Sequence, residues 1–151
     1  MLKEEEIETM SEFKKFINLF VKDEFHWPRI RSHTKGLILE SRLLGHGDDE
    51  TENLIVLTRK GKIREEIWRE YPGACGSSLG KEKKKYLTLK RAIRLIKSWS
   101  NLSNKDICEF FKVLNEQIIT PDLCAWSDTG FYFSIWITEV LRKARKINLP
   151  Q

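Results

Sequence analysis

The spacing of apolar residues changes twice along this 151-residue chain. Between residues 3 and 25 apolar side chains recur every three to four positions, which predicts an amphipathic helix. From Lys35 they alternate or form short runs, which predicts strands over 35–44, 53–59 and 62–70. The last of these segments fits a short helix nearly as well. Helical spacing then returns over 89–99, over 104–119 and from Phe133 onward.

This order of elements predicts one α+β domain over residues 1–151. A small antiparallel three-stranded sheet, over about 35–70, is covered by an N-terminal helix and by two to three C-terminal helices. The length suits a single domain, and a hydrophobic fraction of 40% is enough for a core. Residues 131–138 also alternate and are rich in aromatic and β-branched side chains, so a strand there is the alternative to a helix.

Two helix starts carry capping residues. Thr88 is placed to cap the helix over 89–99, and Ser103 with Asp106 resembles a capping box. The stretch LSNKDICEFF (102–111) resembles the second helix of the helix-turn-helix of quorum-sensing-type bacterial regulators, which implies DNA binding. The resemblance covers about 25 residues. No DNA-reading position transfers, because the helical pattern continues to Ile119 where that family has a turn and a recognition helix.

The strongest functional signal is a cluster of positive charge. The chain has a formal net charge of +5, and eight of its lysines and arginines fall within residues 81–97, where Glu82 is the sole acid. Lysine and arginine contacts to phosphates supply most non-specific affinity for nucleic acids, and an exposed tyrosine can stack on a base. The cluster predicts a non-enzymatic protein that binds DNA or RNA, and the lack of a secretory signal pattern predicts that it is cytoplasmic. Its candidate binding residues are Lys81, Lys83, Lys84, Lys85, Tyr86, Lys90, Arg91, Arg94 and Lys97.

Other interpretations use the same segments. A solvated helix face is the ordinary explanation for a run of charges. A protein-interaction module (an adaptor, inhibitor or chaperone) would bind an acidic partner through the basic helix, or would form a homo-oligomer through an aromatic C-terminal surface. That surface would consist of Trp126, Phe131, Tyr132, Phe133 and Trp136.

Enzymatic chemistry is less well supported by the sequence. The segment GSSLGK (76–81) resembles a phosphate-binding P-loop, but it has three residues between its glycines instead of four, and Glu82 replaces the magnesium-binding Ser or Thr. We therefore expect a flexible loop over 73–88. A metal-dependent hydrolase is the least favoured hypothesis. It would use His46 and the acidic residues Asp48, Asp49, Glu50 and Glu52 of the polar loop. No cofactor, resident metal or catalytic residue is predicted.

The cysteines and the apolar runs exclude further classes. Cys75, Cys108 and Cys124 are widely spaced without a CxxC, which does not fit a zinc site. Cys75 lies near lysines, which would make its thiol more reactive. No apolar run approaches the roughly 18 residues of a membrane span, and the acidic N-terminal segment lacks the pattern of a secretory signal.

Overall fold

The computed structural model describes residues 3–22, 24, 35–45, 50–73, 76–118, 132–135 and 137–148. Within these ranges it contains four helices and five strands, which confirms the α+β class. The elements are α1 (Glu4–Val21), β1 (Gly36–Leu44), β2 (Thr51–Thr58), β3 (Ile63–Gly73), β4 (Gly76–Leu87), α2 (Leu89–Ser100), α3 (Asn104–Asn115), β5 (Tyr132–Ser134) and α4 (Ile137–Asn148).

The strands form one mixed sheet with the order β4-β3-β2-β1-β5. Strands β1 to β4 are antiparallel neighbours, whereas β5 runs parallel to β1, with Tyr132 paired to Gly36. The prediction of a three-stranded antiparallel sheet is therefore wrong in extent and in type. The alternating stretch at 131–138 combines both of its expected structures, because the three-residue strand β5 is followed closely by the helix α4.

Strand β4 replaces the flexible loop that was predicted over 73–88. It forms a long hairpin with β3, with partners from Ile63↔Leu87 to Gly73↔Gly76. Its lysines and glycines give no alternating apolar signal, because an edge strand has one neighbour and tolerates charged side chains. The hydrogen-bond ladder with β3, rather than local propensity, makes this segment a strand.

The expected break at Tyr71-Pro72-Gly73 is also absent, since β3 continues through it. The pairing of β3 with β2 ends at Thr51↔Arg69. Beyond Arg69, β3 pairs with β4 alone within the described sheet. A proline, which has no N–H to donate, is tolerated where one side of the strand lacks a neighbour.

All four helices pack on one face of the sheet. The main core joins side chains of each helix, such as Phe16, Ile96, Phe111 and Val140, to alternate residues of β1 and β2. A second, smaller cluster lies on the opposite face. It contains Ile38, Leu54, Val56 and Tyr132, with Trp68 packed against them.

Both predicted helix caps are present. The Thr88 hydroxyl accepts a hydrogen bond from the backbone N–H of Arg91 at 3.1 Å. Ser103 and Asp106 form a reciprocal capping box at the start of α3. Helix α3 ends at Asn115 rather than at residue 119, and Gln117 just beyond it adopts a left-handed φ of 53°.

Candidate nucleic-acid interface

Three of the predicted basic residues lie along one side of helix α2. Lys90, Arg94 and Lys97 are spaced by four and three positions, so they form one stripe on a helix. This α2 stripe lines a groove between α1 and α2. The remaining residues that line the groove are Glu6, Met10, Ile93 and Asn104.

The cations of the α2 stripe are not neutralised within the described structure. Lys90 and Arg94 are exposed and Lys97 is half-buried. None of the three forms an ion pair or a side-chain hydrogen bond there. Glu6 is the single acid among the groove residues, so the groove carries a net positive charge.

The elements around the groove are held in place by specific contacts. The buried Thr9 hydroxyl on α1 lies 3.2 Å from the backbone oxygen of Asn104, at the start of α3. Ala92, Ile93 and Ile96 anchor α2 in the main core. Asn104 also places the positive end of the α3 dipole beside the groove. These contacts therefore fix the positions of the helices from which the charged side chains extend.

The lysines of β4 lie elsewhere, and they are divided between the two faces of the sheet. Lys83 pairs with Ile67 and Lys85 with Glu65, whereas Lys84 pairs with Glu66. Directly paired residues share a face, and successive residues alternate between faces. Lys83 and Lys85 therefore lie on the face that the helices cover, and Lys84 lies on the other.

The remaining predicted residues do not join the α2 stripe either. Tyr86 pairs with Arg64 on the face opposite the helices, with 62% of its surface exposed. The backbone of Lys81 pairs with Trp68. Arg91 is exposed beside the stripe, three positions before Arg94, but it does not line the groove. Sequence proximity thus overstated how closely these residues cluster in space.

The edge position of β4 gives its lysines a second role. An exposed edge presents unpaired backbone groups to other strands, and lysine side chains on such an edge discourage association. Lys83, Lys84 and Lys85 are all exposed on this edge. Their charge is explained without a ligand, unlike that of the α2 stripe.

Several sequence candidates lie outside the described residues. These are Cys75, His46, Asp48, Asp49, Trp126, Phe131 and Trp136. Among the described residues no group of three or more His, Cys, Asp or Glu side chains is arranged to hold a metal ion. Tyr132 and Phe133 are buried, so neither belongs to an exposed aromatic surface. Cys108 is also buried, and this burial raises the pKa of its thiol.

The sequence reasoning missed a buried polar network on the second face of the sheet. Glu66 has no exposed surface. Its carboxylate accepts hydrogen bonds from the Tyr132 hydroxyl at 2.9 Å and from Trp68 Nε1 at 3.1 Å, and pairs with Arg64 at 2.9 Å. Burial and the nearby Glu66 charge raise the pKa of Tyr132. These contacts satisfy a buried carboxylate, which fits a structural role.

A second missed group lies where α2 meets the sheet. The Arg42 guanidinium stacks on the Trp99 ring, 4.6 Å from its centroid. Arg42 pairs directly with Asn53 across β1 and β2. An arginine and an asparagine within predicted strands give no sequence signal that they meet a tryptophan from a later helix.

Comparison of the chain with protein-family models, with curated protein sequences and with solved structures gives no match. None of the described helices is long and apolar enough to cross a membrane.

Proposed function

We propose that this protein binds the phosphates of a nucleic acid, DNA or RNA, through the α2 stripe. The supporting observation is that Lys90, Arg94 and Lys97 line one groove without any ion pair in the described structure. The stripe spans roughly 10 Å along the helix axis. Duplex DNA carries a charge about every 1.7 Å of its axis, so several phosphates lie within reach of that length.

The lysines of β4 have a supporting role in this proposal. Exposed charges outside the contact surface raise the local concentration of a polyanion without contacting its phosphates. Lys83, Lys84 and Lys85 would therefore influence the association rate more than the number of counterions released. This difference allows the groove to be separated experimentally from net charge.

The test compares two triple variants with the same change in charge. One replaces Lys90, Arg94 and Lys97 by Gln, and the other replaces Lys83, Lys84 and Lys85 by Gln. Fluorescence anisotropy with a labelled duplex and a labelled single strand, each from 50 to 200 mM KCl, gives the slope of log K against log salt. For a duplex we expect the magnitude of this negative slope to fall by roughly 2 to 3 in the α2 variant. In the β4 variant we expect a clearly smaller decrease.

Two results would contradict the proposal. In the first, the wild-type chain does not bind either oligonucleotide at 50 mM KCl. In the second, the two triple variants lose affinity equally, which would mean that net charge alone acts. An acidic protein surface is the alternative partner. Competition by polyglutamate as effective as that by DNA of equal charge would favour this partner over nucleic acid.

A further inference from the structure

Three buried hydrogen-bonding atoms lack partners at the junction of α2 with the sheet. They are Nε of Arg42, Oδ1 of Asn53 and Nε1 of Trp99, and none of them contacts a donor or acceptor in the described structure. Almost all buried polar atoms in folded proteins have a hydrogen-bond partner. Seven such atoms occur among the described residues, and these three belong to side chains that lie next to one another.

The three side chains are neighbours. Arg42 and Asn53 are direct cross-strand partners, so their side chains lie on the same face of the sheet. The Arg42 guanidinium stacks on Trp99 of α2, which packs over that face. Asn53 is only 4% exposed, whereas Arg42 and Trp99 are partly exposed. The three unpartnered atoms are themselves buried, so the group, named here the Arg42 site, lies beneath the partly exposed side chains of Arg42 and Trp99.

The charge at this site also lacks a counterion. Arg42 forms no ion pair in the described structure. Glu40, the nearest acid along the strand, accepts a hydrogen bond from the Ser41 backbone N–H instead. The Trp99 ring attracts the guanidinium through its face, but Nε of Arg42 still has no oxygen or nitrogen acceptor in the described structure.

The chemistry of the three groups selects an anion. Arg42 Nε–H and Trp99 Nε1–H are donors only. The oxygen and nitrogen of an asparagine amide are assigned from their hydrogen bonds, and Oδ1 of Asn53 has none in the described structure. If the Asn53 amide is flipped by 180°, so that its nitrogen takes the place of Oδ1, Asn53 provides a third N–H donor. Oxygens of a negatively charged group accept such hydrogen bonds more strongly than a neutral acceptor does.

We propose that the Arg42 site binds a single small oxyanion, either a phosphate or a carboxylate group. This site is separate from the α2 stripe, because Trp99 and the stripe lie on different sides of α2. The proposal does not depend on nucleic-acid binding. Arg42 would supply the positive charge, and Trp99 and Asn53 would supply the additional N–H donors.

The test follows the indole N–H of Trp99 by ¹H–¹⁵N NMR at constant pH and ionic strength. This resonance is assigned by its absence in Trp99→Phe, a variant that keeps an aromatic ring under Arg42. Sodium phosphate, sodium acetate and sodium chloride are titrated separately. We expect a saturable shift with phosphate or acetate and none with chloride, and the more effective anion identifies the charged group of the ligand.

Variants distinguish the site from a general salt effect. Arg42→Lys keeps the charge but removes Nε–H, and we expect at least a tenfold weaker response to the effective anion. Arg59→Lys is the matched control, because Arg59 also stacks on an aromatic ring, that of Phe20 at 4.9 Å. The triple variant of the α2 stripe should keep the Trp99 response even if nucleic-acid binding is lost.

Any of three outcomes would overturn this proposal. The first is a Trp99 resonance that none of the three anions shifts, which would mean that water satisfies the three atoms. The second is an equal shift with chloride, and the third is an Arg42→Lys variant that responds like the wild-type chain.

Discussion

The hydroxyl of Tyr132 lies 2.9 Å from Oε1 of Glu66, although the two residues belong to strands that are not neighbours in the sheet. Tyr132 is on β5 and Glu66 is on β3, with β1 and β2 between them. The tyrosine side chain must therefore lie across the sheet to reach the carboxylate. This bond fixes the position of the short β5 relative to the long hairpin of β3 and β4.

Removal of this hydroxyl tests its contribution to stability. Tyr132→Phe leaves the buried Glu66 carboxylate without one of its donors, and we expect the free energy of unfolding to fall by about 1–3 kcal/mol. Tyr86→Phe is the control, because Tyr86 is 62% exposed and should change stability by less than about 0.5 kcal/mol. Urea denaturation measures both variants. Equal effects would show that the Tyr132 hydroxyl carries no net stabilisation.

Gly36 provides the space that this arrangement requires. A Cβ atom at this position would lie 2.7 Å from Val56 Cγ1 and 2.8 Å from the backbone oxygen of Leu57, both closer than van der Waals contact. It would also lie 3.4 Å from Cε1 of Tyr132. We expect Gly36→Ala to destabilise the fold by about 1–3 kcal/mol through overpacking, measured as a lower urea midpoint. A midpoint at or above that of the wild type would show that β1 shifts without cost.

The elements that the sequence predicted are those with a strong local pattern. Leu54 to Leu57 form a continuous apolar run because β2 is central and is buried on both faces. Strand β4 has no such pattern, since its lysines sit on an edge and its partner β3 supplies the ladder. The spacing of apolar residues along the sequence indicates which side chains are buried. It therefore did not predict β4, a strand that is stabilised mainly by backbone pairing.

The reliance on local spacing also explains which residues of the candidate site could be predicted from the sequence. The spacing of Lys90, Arg94 and Lys97 shows from sequence alone that they share a side of α2. Glu66 and Tyr132 are 66 positions apart, and no local rule brings them together. The division of the β4 lysines between two faces follows from a register that only the folded hairpin defines.

The capping box of α3 offers a further test of a feature read from the sequence. Ser103 Oγ accepts from the Asp106 N–H at 3.2 Å, and Asp106 also pairs with Arg145 of α4 at 2.6 Å. Ser103→Ala should lower the free energy of unfolding by about 1 kcal/mol, as is usual for the loss of an N-cap. Ser98→Ala, at an exposed position within α2, is the control and should be neutral or slightly stabilising. Thermal unfolding followed by circular dichroism compares the two, and equal shifts would count against the cap.

The raised pKa of Glu40 predicts that the free energy of unfolding decreases as the pH rises. Burial raises the pKa of its carboxyl above the ordinary value of 4.5, because the hydrogen bond from the Ser41 backbone does not fully compensate desolvation. A raised pKa means that the folded chain favours the protonated form. The stability from this group is fully present below pH 4.5, and it is lost as the pH rises through the folded-state pKa.

Glu40→Gln should therefore be more stable than the wild type at pH 7, because the neutral amide avoids the desolvation that raises the pKa of the Glu40 carboxyl. The Gln side chain keeps an oxygen that can accept from the Ser41 N–H. At pH 4 the wild-type carboxyl is protonated and the difference in melting temperature between the two proteins should shrink. Glu50→Gln removes the same charge from an exposed position and controls for net charge. A Glu40→Gln difference that is constant from pH 4 to pH 7, or one that Glu50→Gln reproduces, would mean that desolvation of Glu40 does not limit stability.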